Sequence, residues 1–314
     1  MIARAAHIIR HKGVSGLVSA AASDMSAAIA RDLLGRRFVR RRIYDYEMWL
    51  DTTDRGISRT LILFGQRELE HRRMLQLILK PGMTVFDIGA NIGYYVLMEN
   101  RLMGGTGKIL AIEPSHQNAE LLQRNLQLND ARNVTVLEAA VSDEPGTRDF
   151  FLAEESNLNT FHPAPQRKGA LRTVAVKTTT LTSLAKEHGA PDLIRMDVEG
   201  HEVEILDAAL PEIEAGRMAP MVIFEVHRRR YSPTHDFEQT LARLFAAGYT
   251  VPYVGSSQEE GTKLIESRGY RGDEPIETDF MTRVIFRDIK LKDATDFICH
   301  TGGVRTVVLA PKAR

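Results

Sequence analysis

Cys299 is the only cysteine in 314 residues. An intrachain disulfide is therefore excluded, and so are cysteine-ligated zinc and iron–sulfur centres, which need several thiolates. The chain reads as one kept in a reducing, cytoplasmic compartment. No charge sign dominates: Lys+Arg and Asp+Glu are each 41, for a net charge of zero. That balance argues against a dedicated nucleic-acid binder, which carries a basic field. With 43% hydrophobic residues it also argues against disorder. No apolar run approaches the roughly 20 residues that span a bilayer. Val14 to Ala30 is mostly Ala, Ser and Gly, and Asp24 interrupts it. Arg36-Arg37 is not a twin-arginine signal, because Val39-Arg40-Arg41-Arg42 follows where an apolar stretch is required.

At about 150 residues per domain, the length allows two domains or one decorated α/β domain. Residues 1–44 read as a basic, mostly helical extension. Residues 1–42 set nine basic residues against Asp24 and Asp32. Residues 31–42 are either a solvated face or a patch for anionic lipid or glycan, which would make the protein membrane-associated. Residues 45–82 form a lead-in: Tyr44 to Phe64 looks extended, and a helix carrying Leu69, Met74, Leu75 and Ile78 stops at Lys80-Pro81-Gly82.

Residues 83–254 alternate short apolar strands with amphipathic helices. The strands are 84–88, 109–113, 134–137, 193–197 and 221–225, and the last helix starts near Asp236. This pattern means parallel strands joined by crossover helices, an α/β doubly wound sheet whose ligands sit at the carboxyl ends of the strands. Residues 143–180 hold a hairpin with Gly146 at its turn. Residues 255–300 are polar and glycine-dotted, an insertion before the last strand and a candidate substrate lid or oligomer contact. Residues 301–314 supply that strand and a tail.

The strand-end residues are Asp87, Glu113, Asp197 and Glu225. The first strand turns through Asp87-Ile88-Gly89-Ala90-Asn91-Ile92-Gly93. Asn91 and Tyr94 stand where a dinucleotide fingerprint needs glycine, and no P-loop is present. Glu113 at the next strand end suits a ribose diol, the Gly89 loop lets backbone approach a ligand, and Asp87 suits a cationic group rather than a phosphate. A ligand with ribose, an amino group and no phosphate is S-adenosylmethionine (SAM).

Val85 through Tyr95, Ile112-Glu113-Pro114, Ala140-Val141-Ser142-Asp143, Thr179-Thr180-Leu181 and Asp197-Val198-Glu199-Gly200-His201-Glu202 together resemble the FkbM-type SAM-dependent methyltransferases, over roughly residues 45–230. The resemblance implies a Rossmann-like, mostly parallel sheet of seven strands. It implies O-methylation of a sugar, glycolipid or secondary-metabolite hydroxyl, with SAM held by Asp87, Gly89, Asn91, Gly93, Glu113 and Asp197. Many class I methyltransferases read adenine with an Asp after the third strand. Here that place is Glu138-Ala139-Ala140, so backbone near Ala139, or Ser142, is expected to take that part.

Transfer to a hydroxyl needs a base or a metal. The candidates are Asp197, Glu199, Glu225 and His227, with His227 the neutral-pH base. Crowded carboxylates raise one another's pKa values, and Asp197, Glu199 and Glu225 would also suit Mg²⁺ or Ca²⁺. The acceptor is expected to be a small molecule or glycan and not a nucleic acid. The alternatives are a nucleic-acid or other N-methyltransferase and a non-catalytic SAM-binding scaffold. Against the first, the chain has no Pro-Pro for the amino-methylating motif.

Overall fold

The structure is a computed structural model and describes residues 18, 20–29, 31–33, 35–162, 172–232 and 234–312. Residues 20–29 are helical. Strands β1 (Phe38–Ile43) and β2 (Tyr46–Asp51) pair antiparallel from Phe38↔Asp51 to Ile43↔Tyr46, and helices α1 (Ile57–Phe64) and α2 (Leu69–Ile78) follow. Two expectations are corrected. Residues 38–43 are a strand, so the basic extension is not helical to its end; Arg37 pairs with Asp51 and Arg40 with Glu47 along this hairpin. The second half of the 44–64 stretch is helix, because Ile57, Leu61 and Ile62 share one buried helical face.

The alternation then runs β3 (Thr84–Ile88), α3 (Tyr94–Leu102), β4 (Lys108–Ile112), α4 (His116–Leu128) and β5 (Val134–Leu137). A small sheet comes next: β6 (Ala140–Val141), β7 (Gly146–Leu152) and β8 (Arg172–Thr179). Gly146 opens β7, opposite Thr178, so the hairpin's connection lies after β7 and not at Gly146. The chain continues through α5 (Leu181–His188), β9 (Leu193–Met196), α6 (Glu202–Glu214), β10 (Met221–Glu225), α7 (Phe237–Ala246) and β11 (Tyr249–Ser256). Asp236 caps α7 by accepting from the Glu238 amide. The remainder is α8 (Glu259–Ser267), the hairpin β12 (Ile276–Thr278) and β13 (Met281–Arg283), β14 (Ile285–Ile289), α9 (Leu291–Thr295) and β15 (Val304–Pro311).

The main sheet runs β14-β11-β15-β10-β9-β3-β4-β5. The five strands from β10 to β5 are parallel, while β15, β11 and β14 join antiparallel. The sheet has eight strands where seven were expected. The eighth, β14, comes from the supposed insertion and seats Ile285, Phe286 and Ile289 in the core. Side-chain alternation separates two cores. Phe86, Ile88, Leu110 and Ile112 face α5, α6 and α7, and Val85, Ile109 and Ala111 face β2 and α1 to α4. Burial on both faces is why these strands read as unbroken apolar runs. The strand order reverses between β3 and β9, and the crevice at their carboxyl ends is where such sheets take ligands. Among the described residues no helix is long and apolar enough to cross a membrane.

Candidate active site

A cleft of about 770 Å³ opens at this reversal, walled by Gly89, Asn91, Glu113, Ala139, Phe150 and Asp197 among others. The Gly89 and Ala90 amides donate to the Ile112 carbonyl, bending the chain sharply off β3. Gly89 has φ +79°, and a Cβ there would lie 2.3 Å from the Asp197 carbonyl oxygen, so only glycine fits. Asn91, with φ +50°, donates its amide to Glu113 Oε2 at 2.8 Å. Glu113 Oε1 accepts from the Ser115 amide at 2.9 Å and from Asn118 Nδ2. Burial pushes the Glu113 carboxyl up to about 7 against the pull of these donors. Three donors leave lone pairs on this carboxylate for a ribose diol. Phe150 and Phe161, packed edge to face at 4.9 Å, give the cleft an apolar side for a planar ring. The cleft therefore fits a nucleoside-bearing ligand.

Three residues assigned to the cofactor do not reach its wall. Asp87 is fully buried and bonds Arg195 Nη1 at 3.0 Å, so its charge is taken by the protein itself and not offered to a cationic ligand. Gly93 caps α3, where a Cβ would meet Leu122 Cδ1 at 2.5 Å. Ser142 is buried behind Ala139, Ala140 and Val141, which do line the cleft; its hydroxyl serves Asp143, Arg148 and His201. Asp197 lines the cleft together with Glu68 and Glu113.

The ends of β9 and β10 bring the expected catalytic group together around one imidazole. His227 Nε2 lies 3.9 Å from Asp197, 3.8 Å from Glu199 and 4.0 Å from Glu225. Its Nδ1 is 2.6 Å from Glu202 Oε1, an acid with no exposed surface. Burial opposes a charge on His227, but the carboxylates of Glu202, Glu225 and Glu199 prevail and raise it to about 10. His227 is thus a cation at neutral pH and not the free base expected. Burial raises Glu199, and it raises Glu225 to about 7 even though Arg305 Nη2 sits 2.8 Å away. A divalent cation would take Asp197, Glu199 and His227, whose ligand atoms lie within 4.8 Å of one another. Glu225, assigned to that set from the sequence, is occupied by Arg305 instead.

A second, more polar cavity of about 990 Å³ adjoins the first, and Arg67, Glu68 and Asn157 line both. Its other walls include Phe64, Asp279, Phe280, Arg283 and Arg305. Glu68 joins the two spaces. Held at φ +51°, it accepts from Arg67, Tyr95 Oη and Arg305, and these partners keep its carboxyl well below the usual range. Arg67, Glu68 and Arg305 do not stand out in the sequence, because their partners lie up to 237 residues away. Of Tyr270, Phe280 and Phe286 in the 255–300 segment, Phe280 lines this cavity, Phe286 is buried, and Tyr270 packs on Phe297 and bonds Asp293.

The family model described as the methyltransferase FkbM domain matches residues 87–251. The chain is 32% identical over 152 residues to methyltransferase sdnD of Sordaria araneosa, covering 39% of this chain and 58% of that protein. It is 30% identical over 219 residues to the 31-O-demethyl-FK506 methyltransferase FkbM of Streptomyces tacrolimicus, covering 59% of this chain and 80% of that one. Among solved structures, methyltransferase FkbM of Methylobacillus flagellatus KT is similar at 16% identity and a TM-score of 0.38, over 73% of this chain and 52% of that one. A methyltransferase from Pyrococcus furiosus is similar at 13% identity and a TM-score of 0.37, over 85% and 96%.

Proposed function

The chain belongs to the FkbM methyltransferase family, and from that premise we propose that it moves a methyl group from SAM to a hydroxyl of a sugar, glycolipid or secondary metabolite. The observation that carries this reading is the pair of adjoining cavities. One is an apolar-sided cleft with a ribose-type carboxylate, and the other is a polar pocket sharing Arg67, Glu68 and Asn157 with it. The name of the Streptomyces relative places its reaction at an oxygen, which supports the choice of acceptor atom.

In this reading Glu113 takes the ribose hydroxyls, the Gly89–Asn91 backbone passes close to the ligand, Phe150 and Phe161 flank the base, and Asp197 meets the amino-acid end. SAM, when bound, supplies a methyl group already activated on a sulfonium. The protein's share is to orient the acceptor and remove its proton. Glu225 suits the proton, because it titrates about 7 and its partner Arg305 lines the acceptor cavity. The imidazolium of His227 keeps the crowded acids Asp197, Glu199 and Glu225 in place and offsets their repulsion. Nothing in this scheme requires a metal at Asp197, Glu199 and His227.

The test has two arms. Calorimetry should show SAM binding that Glu113→Ala weakens by about 1.5–3 kcal/mol, the scale of a hydrogen bond to a charged group. Mass spectrometry of reactions with a panel of sugars, glycolipids and hydroxylated metabolites should find a product heavier by one methylene. Unchanged affinity in Glu113→Ala would remove the cofactor assignment. Binding without turnover on any acceptor would make the chain a SAM-binding scaffold, and methylation at nitrogen would overturn the choice of atom.

A further inference from the structure

Three histidines and a glutamate converge beside Phe161, apart from the cluster at His227. His162 lies in the segment that follows β7, His201 precedes α6, Glu204 lies in the first turn of α6, and His235 stands just ahead of α7. His162 Nε2 is 3.0 Å from His201 Nδ1 and 3.3 Å from Glu204 Oε1. His201 Nδ1 is 3.4 Å from Glu204 Oε2, and His235 Nδ1 is 3.2 Å from Glu204 Oε1. Zinc bonded at about 2.0–2.1 Å in a tetrahedron spaces its ligand atoms about 3.3 Å apart. The separations among His162, His201 and Glu204 lie near that spacing.

The outer hydrogen bonds decide which ring nitrogens carry protons. Ser142 Oγ gives its one proton to Asp143 Oδ1 at 2.8 Å and accepts from Arg148 Nη1 at 2.9 Å. His201 Nε2, 2.9 Å from the same oxygen, must therefore donate, which leaves a bare lone pair on Nδ1 in the neutral ring. His235 Nε2 donates to the Gly200 carbonyl at 2.7 Å, and its Nδ1 holds Glu204 Oε1 at 3.2 Å. The His201 lone pair faces Glu204 Oε2, itself only an acceptor. Glu204 Oε2 is buried and has no hydrogen-bond partner. Facing acceptors repel unless something positive lies between them. His162 Nε2 can supply one proton, which does not serve His201 Nδ1 and the carboxylate at once. A histidine fixed by a hydroxyl on its far nitrogen is arranged as a metal ligand is.

We propose that His162, His201 and Glu204 hold a zinc-class divalent ion, with His235 fixing the Glu204 carboxylate. Two imidazoles and a carboxylate suit Zn²⁺ better than Mg²⁺ or Ca²⁺, which prefer oxygen. Three protein ligands leave the fourth position to solvent. The ion would tie the segment carrying Ser156, Asn159, Phe161 and His162 to the start of α6.

The test uses the full chain made without a polyhistidine tag. Elemental analysis after zinc loading and exhaustive dialysis should find one zinc per chain. His162→Ala, a change on a side chain 33% exposed, and Glu204→Gln should each lose it, while His227→Asn keeps it. Cobalt(II) loading should give the intense visible bands of a four-coordinate ion, and chelation should lower the melting temperature of the wild type but not of His162→Ala. Folding of each variant is checked by circular dichroism. Wild-type protein that retains no zinc overturns the proposal. So does zinc retained by His162→Ala and Glu204→Gln but lost by His227→Asn, or weak six-coordinate cobalt bands.

Discussion

Asp87 and Arg195 are partners across the parallel pair β3 and β9, and their side chains meet at 3.0 Å with 0% and 3% of their surface exposed. Arg195 also stacks on the Tyr95 ring, 4.0 Å from its centroid, and reaches Asp197 Oδ2 at 3.4 Å. One guanidinium thus joins the buried acid under the Gly89 turn to Asp197 on the cleft wall. Removing it would leave Asp87 buried without a counter-charge, beside a Glu99 that burial and Asp87 already raise well above the carboxylate range. Arg195→Met should therefore cost about 3–5 kcal/mol of unfolding free energy, the penalty for breaking a buried pair. Urea denaturation of the ligand-free protein measures it, and a loss under about 1 kcal/mol would show that the pair carries no such weight.

Activity should rise with pH through about 7 and fall again toward about 10. Glu225 must be ionised to accept a proton, and its carboxyl titrates about 7. His227 must stay cationic to hold the acids, and it titrates about 10. The His227 charge also stabilises the fold. Its folded pKa lies above the unfolded value of about 6.5, so that contribution is complete below about 6.5 and is lost as pH rises through about 10. A kcat/KM profile flat across neutral pH would remove Glu225 as the base. Glu225→Gln should lower kcat by about 10²–10⁴, the usual scale for a lost general base.

Glu199→Gln keeps the side chain's shape and removes one of the charges facing His227 Nε2. The alkaline limb of the profile should then move to lower pH and kcat should fall about tenfold or more, while SAM affinity stays within about threefold, under 1 kcal/mol. An alkaline limb that does not move would separate Glu199 from His227.

The β12–β13 hairpin should select the acceptor. Phe280 sits at its turn, packs against Phe64 at 4.9 Å and lines the polar cavity. Phe280→Ala should raise the KM for the acceptor about tenfold, the loss of roughly 1.4 kcal/mol of ring contact, and leave the Kd for SAM unchanged. Equal KM values in variant and wild type would place the acceptor elsewhere. Removing residues 258–275 would not serve as this measurement, because they include α8. A Cβ at Gly261 of that helix would lie 2.3 Å from the Gly303 carbonyl, so the helix is seated tightly on the turn before β15.

The sequence by itself determined what depends on neighbours along the chain. Apolar runs of strand length between amphipathic stretches set the parallel sheet, since a strand buried on both faces must be apolar throughout. Gly89 and Asn91 took the left-handed turn that their positions required, and Glu113 stands on the cleft wall where its strand end put it. Local pattern misled where it was ambiguous: Ile57 to Phe64 suits strand or helix by composition, and only burial of one face against β2 chose helix. Tertiary structure alone decided which charges meet. Asp87 and Arg195 are 108 residues apart, as are Arg305 and Glu68 by 237, and His227 gained its charge from acids on two different strand ends and a helix. The physical reason is the range of the forces. Backbone propensity and side-chain periodicity act within a few residues, whereas burial and Coulomb interaction depend on where the folded chain sets each group.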